Sequence, residues 1–277
     1  MRLLLTLLCV TLALPVLGVL GAWAALDEAA LALLRHQAQT VMADYTLQSA
    51  LLVLGVGLGV TLVGTGAAVV VALFDFPGRR AFEWALLLPL AMPAYVLAYA
   101  WTDALQYSGP VQVGLRALTG AQGALWPDVR SLWGAVLLFV LCLYPYVYLL
   151  ARAALGERAA PMMEAARLLG AGLRRRIFEV ALPLARPAIT AGVALALMET
   201  LADYGVGSYF GLSTFSTGIY KAWLVMYDRV AAAQLASLLL AAVALLLFVE
   251  RRAQRRLRFA AARPGGAGSA ETRPLRL

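Results

Sequence analysis

One histidine, two cysteines and a single lysine are all that 277 residues contain of three chemically versatile side chains. Cys9 and Cys142 lie far apart inside apolar runs, with no spacing that marks a disulfide pair or a thiolate site. His36 stands alone, which excludes a His/Cys metal cluster of the usual spacing. The lysine shortage excludes a P-loop: Lys221 follows Tyr220 and no Gly-Lys pair exists, so any ATP that drives this protein is bound by another subunit. Charge is scarce as well. Charged residues make up 14% of the chain against 62% hydrophobic, with a mean hydropathy of +0.81, and this excludes a water-soluble globular domain.

Long apolar runs are abundant. Six stretches, 3–25, 47–74, 84–105, 131–150, 182–201 and 231–249, reach the ~20 helical residues needed to cross a hydrocarbon core of roughly 30 Å. The alternation of a β-barrel is missing, and a lipid-exposed backbone must satisfy its own hydrogen bonds, so the expected class is all-α: a polytopic membrane protein of six transmembrane helices. Arg2, the first run and Ala22-Trp23-Ala24 also mimic a secretory signal, but the run exceeds the ~7–15 residues of a signal core. It is read as a retained helix.

Basic residues set the orientation. With the N-terminus inside, eighteen arginines (Arg2, Arg79, Arg80, Arg152, Arg158, Arg167, Arg174, Arg175, Arg176, Arg186 and the eight from Arg251 onward) are cytoplasmic. Five residues, Arg35, Arg116, Arg130, Lys221 and Arg229, are outside. This split predicts a multi-pass protein of the cell inner membrane with both termini cytoplasmic. The net charge of +8 is then topology plus contact with anionic membrane lipid, and no nucleic-acid partner is expected. The chain divides into a first helix and an outer segment with Asp27, Glu28 and Asp44 (1–46), five further helices (47–250) and a basic tail (251–277) whose Pro264-Gly265-Gly266 and Gly268-Ser269 read as disordered.

Gly55, Gly57, Gly59, Gly64 and Gly66 crowd the second run, with a Gly-x-x-x-Gly at Gly55 and Gly59; inside an apolar span this predicts close helix packing rather than nucleotide binding. Pro89 and Pro93 in the third run, and Pro183 and Pro187 in the fifth, predict kinks. Trp84, Tyr95, Tyr99, Trp101, Tyr107, Trp126 and Trp133 fall near run ends, as in an interfacial belt. Glu199 and Asp203, one turn apart at the outer end of the fifth run, are candidates for the pathway or its gate, because carboxylates at membrane depth face a partner or a cavity. Asp103 ends the third run in the same way. Solvated helix ends are the alternative.

The most ordered segment lies between the fourth and fifth runs. Pro161 suits a first helical position and Gly170 a stop, which predicts a short helix over 161–170 with Met162, Ala166 and Leu169 on one apolar face. The sequence reads Glu164-Ala165-Ala166, three residues, Gly170, nine residues, then Val180-Ala181-Leu182-Pro183. It resembles the EAA signature of importer-type ABC transporter permeases, Val180 standing where that family usually has Ile. Pro93 to Trp101, Asp203-Tyr204-Gly205, Ser208-Tyr209-Phe210-Gly211 and Thr214 to Trp223 are similar to ferric-iron permeases, and the likeness covers roughly residues 47–249.

The resemblance implies a type I importer permease fold in which 161–170 is the cytoplasmic coupling helix seated in a separate ATPase subunit. Glu164 would be its polar anchor, Ala165 and Ala166 its close-approach residues and Gly170 its turn, with Val180, Leu182 and Pro183 leading back into the membrane. It implies no catalytic residue, no cofactor and no resident metal, and as partners an ATPase, an extracytoplasmic (periplasmic) binding protein and a second permease unit. Ferric iron is the implied cargo, with thiamine, polyamine, sulfate and phosphonate as alternatives. Ferric-iron permeases commonly carry two six-helix units, so this chain corresponds to a half-length subunit or to part of a longer one. Outside this class the rivals are an ion-coupled carrier using Glu199 and Asp203, and a non-transporting scaffold.

With the two native cysteines replaced by alanine, a cysteine at Ser269 should resist a membrane-impermeant thiol reagent added to intact cells. Efficient outside labelling would overturn the orientation.

Overall fold

The computed structural model describes residues 2–24 and 28–260. Met1, Asp27 and the tail 261–277, where the disordered reading falls, lie outside the described residues. Among the described residues, five helical stretches are long and apolar enough to cross a membrane: Leu4–Gly21, Met42–Leu73, Leu132–Glu157, Leu173–Ala202 and Arg229–Arg252. They belong to helices α1 (Arg2–Gly21), α3 (Met42–Leu73), α7 (Leu132–Ala154), α10 (Leu182–Ala202) and α13 (Arg229–Ala260). Helix α2 (Glu28–Thr40) fills most of the outer segment that sequence left without structure, and places His36 on a helix. Residues 251–260, assigned from sequence to the tail, continue α13 as helix.

The third run is not one straight helix. It breaks into α4 (Arg79–Ala85), a 3-10 turn (Leu88–Ala91), α5 (Ala94–Leu105) and α6 (Pro110–Thr119), with a 99° bend between Ala91 and Ala94. Pro89 sits inside the 3-10 turn and Pro93 caps α5 in extended conformation (ψ 136°), so the kinks expected from these prolines are a full break.

The core is α3 against α7, with α10 laid across both. Leu52, Val56, Val60, Gly64 and Ala68 recur every four residues on α3 and form one buried stripe against α7. The expected glycine packing is present. A Cβ on Gly55 would meet the Val136 side chain at 2.9 Å, one on Gly59 would overlap Val140, and one on Gly64 would lie 2.7 Å from the Tyr144 carbonyl oxygen. Backbones approach this closely only where no side chain intervenes.

These pairs rise together along the two helices, 55 with 136, 59 with 140 and 64 with 144–147, so α3 and α7 are parallel. Two parallel spans require the intervening chain to return across the bundle once. The broken segment from α4 to α6 therefore makes one crossing, which brings the spans to the six expected. α10 runs the other way, because Gly192 lies against Val147 while Leu197 lies against Gly57.

Two ends result. The starts of α3 and α7 share one end with the finish of α10, and at the opposite end α7 passes into α8 (Ala160–Leu168), which leads back to α10.

Alanine usually stabilises a helix by about 1 kcal/mol relative to glycine. Gly64→Ala should instead lower Tm by about 3–8 °C, because overpacking against a backbone oxygen outweighs that gain. Gly66→Ala, whose Cβ would meet nothing within 4 Å, should leave Tm unchanged or raise it. Thermal unfolding in detergent checks the pair, and equal shifts would contradict the packing account.

Candidate functional site

Helix α8 carries the Glu164 segment at one end of the bundle. Pro161 occupies its first turn, and it ends in a Schellman motif: Gly170 N–H donates to Arg167 O at 2.9 Å and Ala171 N–H to Ala166 O at 3.0 Å. Gly170 holds φ +82°, a conformation that costs a residue with a side chain roughly 1–2 kcal/mol. The expected stop at Gly170 is thus built from two otherwise orphaned carbonyls.

Both connections of α8 contain a π-helical turn, Leu155–Ala159 before it and Arg176–Ala181 after it. Each precedes a proline, Pro161 or Pro183. In the second, Leu182 N–H reaches back five residues to Ile177 O, widening the helix where the Pro183 ring would otherwise press on the preceding turn. The fifth span consequently begins at Leu173 and not at 182, as sequence placed it: the proline is absorbed rather than starting a new helix. α8 packs against both π turns, so Glu164, Ala165, Ala166, Gly170, Val180, Leu182 and Pro183 belong to one folded unit.

The outward face of that unit is more apolar than its sequence pattern. Met163 is the buried anchor, whereas Met162 is 50% exposed, Leu168 82% and Leu169 88%. Sequence periodicity found Met162 and Leu169 but missed Leu168 and placed the half-buried Ala166 with them. Glu164 and Arg167 pair at 3.9 Å with both side chains more than 60% exposed, a contact of little weight for stability.

At the opposite end, Glu199 and Asp203 remain one turn apart but do different things. Asp203 is a cap: its carboxylate accepts from Val206 N–H at 2.7 Å and its carbonyl from the Ser216 hydroxyl at 2.8 Å, tying α11 (Gly205–Tyr209) and α12 (Phe215–Tyr220) to the end of α10. Burial pushes the Asp203 carboxyl above the ordinary carboxylate range; the Val206 and Gly207 amides pull it down, and Glu199 adds to the rise. Glu199 is exposed. Asp103 is not brought to this pair; it accepts from the Gln106 amide at 3.3 Å beside its own helix end.

Arg130, which sequence treated only as a topology charge, holds this end together. Its guanidinium donates to Tyr209 O at 2.7 Å and lies 4.7 Å from the Tyr209 ring centroid, while that ring packs 4.4 Å from Tyr99 of α5. Tyr204 and Tyr220 stack at 3.8 Å. No local spacing announces these contacts, since residues 79 positions apart meet. Among the described residues, no three His, Cys, Asp or Glu side chains converge as a metal site would require.

The fold of this bundle is found among known transport proteins. The family described as binding-protein-dependent transport system inner membrane component matches residues 60–259, and the chain belongs to it. The Fe(3+)-transport system permease protein FbpB 2 of Haemophilus influenzae is 26% identical over 209 residues, covering 76% of this chain and 37% of that protein. The molybdenum transport system permease protein ModB of Escherichia coli is 32% identical over 133 residues, 47% of this chain and 55% of that protein. The chain thus spans about half or less of the length of these relatives. Among solved structures, the inward-facing MetNI methionine ABC transporter matches with TM-score 0.62 at 17% identity over 78% of this chain and 96% of that one. A bacterial alginate ABC transporter in complex with a periplasmic protein matches at 0.69 and 15% identity, over 92% and 95%. Both show a common fold. Proteins of this family are transport components and not enzymes.

Gly170→Val should break the Schellman turn and speed hydrogen exchange at the Gly170 and Ala171 amides by about ten-fold, the equivalent of the left-handed cost. Gly172→Val, at φ −64° with open space around it, should leave those amides protected. Equal exchange in the two variants would refute the motif.

Proposed function

We propose that the chain is the permease unit of a bacterial ABC importer, forming half of a translocation pathway with a second such unit and driven by a separate ATPase subunit docked on α8. The observation that carries this reading is the folded EAA unit with Met162, Leu168 and Leu169 turned outward. A short helix that buries one methionine and exposes three large apolar side chains at a polar membrane face needs a partner. Glu164 is its polar anchor, and Gly170 fixes the angle at which the helix is presented. The orientation follows. The α8 end gathers Arg79, Arg80, Arg152, Arg167 and Arg174 to Arg176, which favours the cytoplasm, where ATP is found.

The other end, with α11, α12 and their tyrosines, then faces the extracytoplasmic binding protein. Glu199 lines the mouth of the pathway, and Asp203 holds the loops that shape it. Within this reading ferric iron is the cargo. Two of the outer arginines, Arg116 and Arg130, are turned to loop carbonyls, while Glu199 presents an exposed carboxylate at the same end. An exposed carboxylate at the mouth attracts a cation and disfavours an oxyanion such as molybdate. A single exposed carboxylate attracts the ion without coordinating it tightly, as a conduit requires.

The test uses proteoliposomes holding the permease, its ATPase subunit and its binding protein. Leu168→Asp should lower retention of the ATPase subunit by about ten-fold or more without loss of the inserted protein, since hot-spot apolar contacts are worth ~2 kcal/mol or more. Full retention and parental uptake in Leu168→Asp and Glu164→Lys would sink the coupling role, and uptake without any ATPase would favour an ion-coupled carrier. Uptake of ferric iron should exceed that of molybdate and fall in Glu199→Gln; the reverse order would assign the pathway to oxyanions.

A further inference from the structure

One charged cluster at the α8 end lies outside the EAA unit. Glu83 of α4 places one carboxylate oxygen 2.9 Å from Arg152 Nη2 and the other 3.5 Å from Arg79 Nε, and its carbonyl accepts from the Tyr148 hydroxyl at 3.4 Å. Sequence spacing already allowed the Arg79–Glu83 pair at i,i+4, but not the bond to Arg152, 69 positions away. Clefts of about 350 and 510 Å³ flank the cluster, lined by Arg79, Arg152 and Glu157 on one side and by Asp75, Arg80 and Glu83 on the other. Both arginines of the first face Glu83, and in the second Asp75 and Glu83 stand against Arg79 and Arg80, so neither is an anion site.

The position of the pair is what matters. Arg152 stands in the last turn of α7, three residues before the start of the π turn Leu155–Ala159 that leads into α8. Leu155 and Ala159 are fully buried and Met163 of α8 nearly so, which leaves no slack between α8 and Arg152. Glu83, in turn, belongs to the inner piece of the broken third span. Beyond the 99° break, the outer piece α5 sets Tyr99 against Tyr209 and Tyr95 against Gly205, at the end that bears Asp203. Besides packing, the carboxylate of Glu83 thus ties the only broken span among the described residues to the base of α8.

We propose that the Glu83–Arg152 ion pair is a strut that passes displacement of α8 to the broken third span, and through it to the outer mouth. Glu83 and Arg152 are then positioning residues for transport, distinct from the surface that docks the ATPase. This rests on the importer reading above. A half-buried pair holds two elements in fixed register; removal of Glu83 leaves Arg152 without this partner, and removal of Arg152 leaves Glu83 only Arg79 of its own helix. Arg79 Nε, 3.5 Å from the second oxygen of Glu83, adds another positive charge beside the carboxylate.

The experiment is a double-mutant cycle in the reconstituted transporter, with Glu83→Gln, Arg152→Gln and the double variant, reading ATPase-subunit retention, ATP hydrolysis and uptake per ATP hydrolysed. Each single variant should retain the ATPase subunit and hydrolyse ATP, while uptake per ATP falls by about five-fold or more, the lower range of a coupling interaction. The double variant should be no worse than either single, because both remove the same link. Arg152→Lys should restore part of the ratio. Unchanged uptake per ATP in either single, additive losses in the double, or loss of the ATPase subunit itself would each overturn the strut. A parental complex without ATP-dependent uptake would instead show that the importer reading fails, and the strut with it.

Discussion

Close backbone contact between α3 and α7 is the constraint on which the rest depends. Gly64 against the Tyr144 carbonyl leaves no room for a methyl group, and Gly59 and Gly55 repeat the approach about one and a half and two and a half turns away. In lipid, where apolar side chains gain little by meeting each other rather than acyl chains, such contact is a main source of helix association. Its register makes the two helices parallel. Parallelism in turn requires the third segment to cross, and that separates the α8 end from the end formed by Asp203, α11 and α12.

Much of this was legible in the sequence. The glycine spacing foretold close packing, and Pro161 and Gly170 delimited a helix that the structure places at Ala160–Leu168, within two residues. Local rules worked there because caps and turns are satisfied by neighbours in sequence. They failed where distant residues decide. Pro89 and Pro93 mark a bend, but nothing in their spacing separates a mild kink from a 99° break; that depends on what α4 and α5 each pack against. Sequence bounds the fifth run at 182 and reads Pro183 as a kink, and only the π turn before it lets the helix run through from Leu173.

The candidate site divides in the same way. The EAA pattern located α8, but helical periodicity put Ala166 on the apolar face and passed over Leu168, because a nine-residue helix with a buried neighbour on each side does not expose an ideal stripe. Glu199 and Asp203 looked equivalent by spacing. Their difference arises from α11, whose amides turn Asp203 into a cap and leave Glu199 as the exposed charge. Function in the proposed transporter then follows from rigidity at one end and breaks at the other: a helix presented at a fixed angle between two π turns anchored by buried Leu155, Ala159 and Ala181, and a discontinuous span that can shift.

The central claim is that α8 seats in an ATPase subunit, and its most direct test is contact. A photo-crosslinking amino acid at Leu168, 82% exposed, is compared with one at Leu118, 85% exposed on α6. In the assembled transporter, irradiation should join the Leu168 site to the ATPase subunit and leave the Leu118 site unjoined to it. Capture of the ATPase from Leu118, or none from Leu168 in a complex that retains the ATPase, would contradict the account.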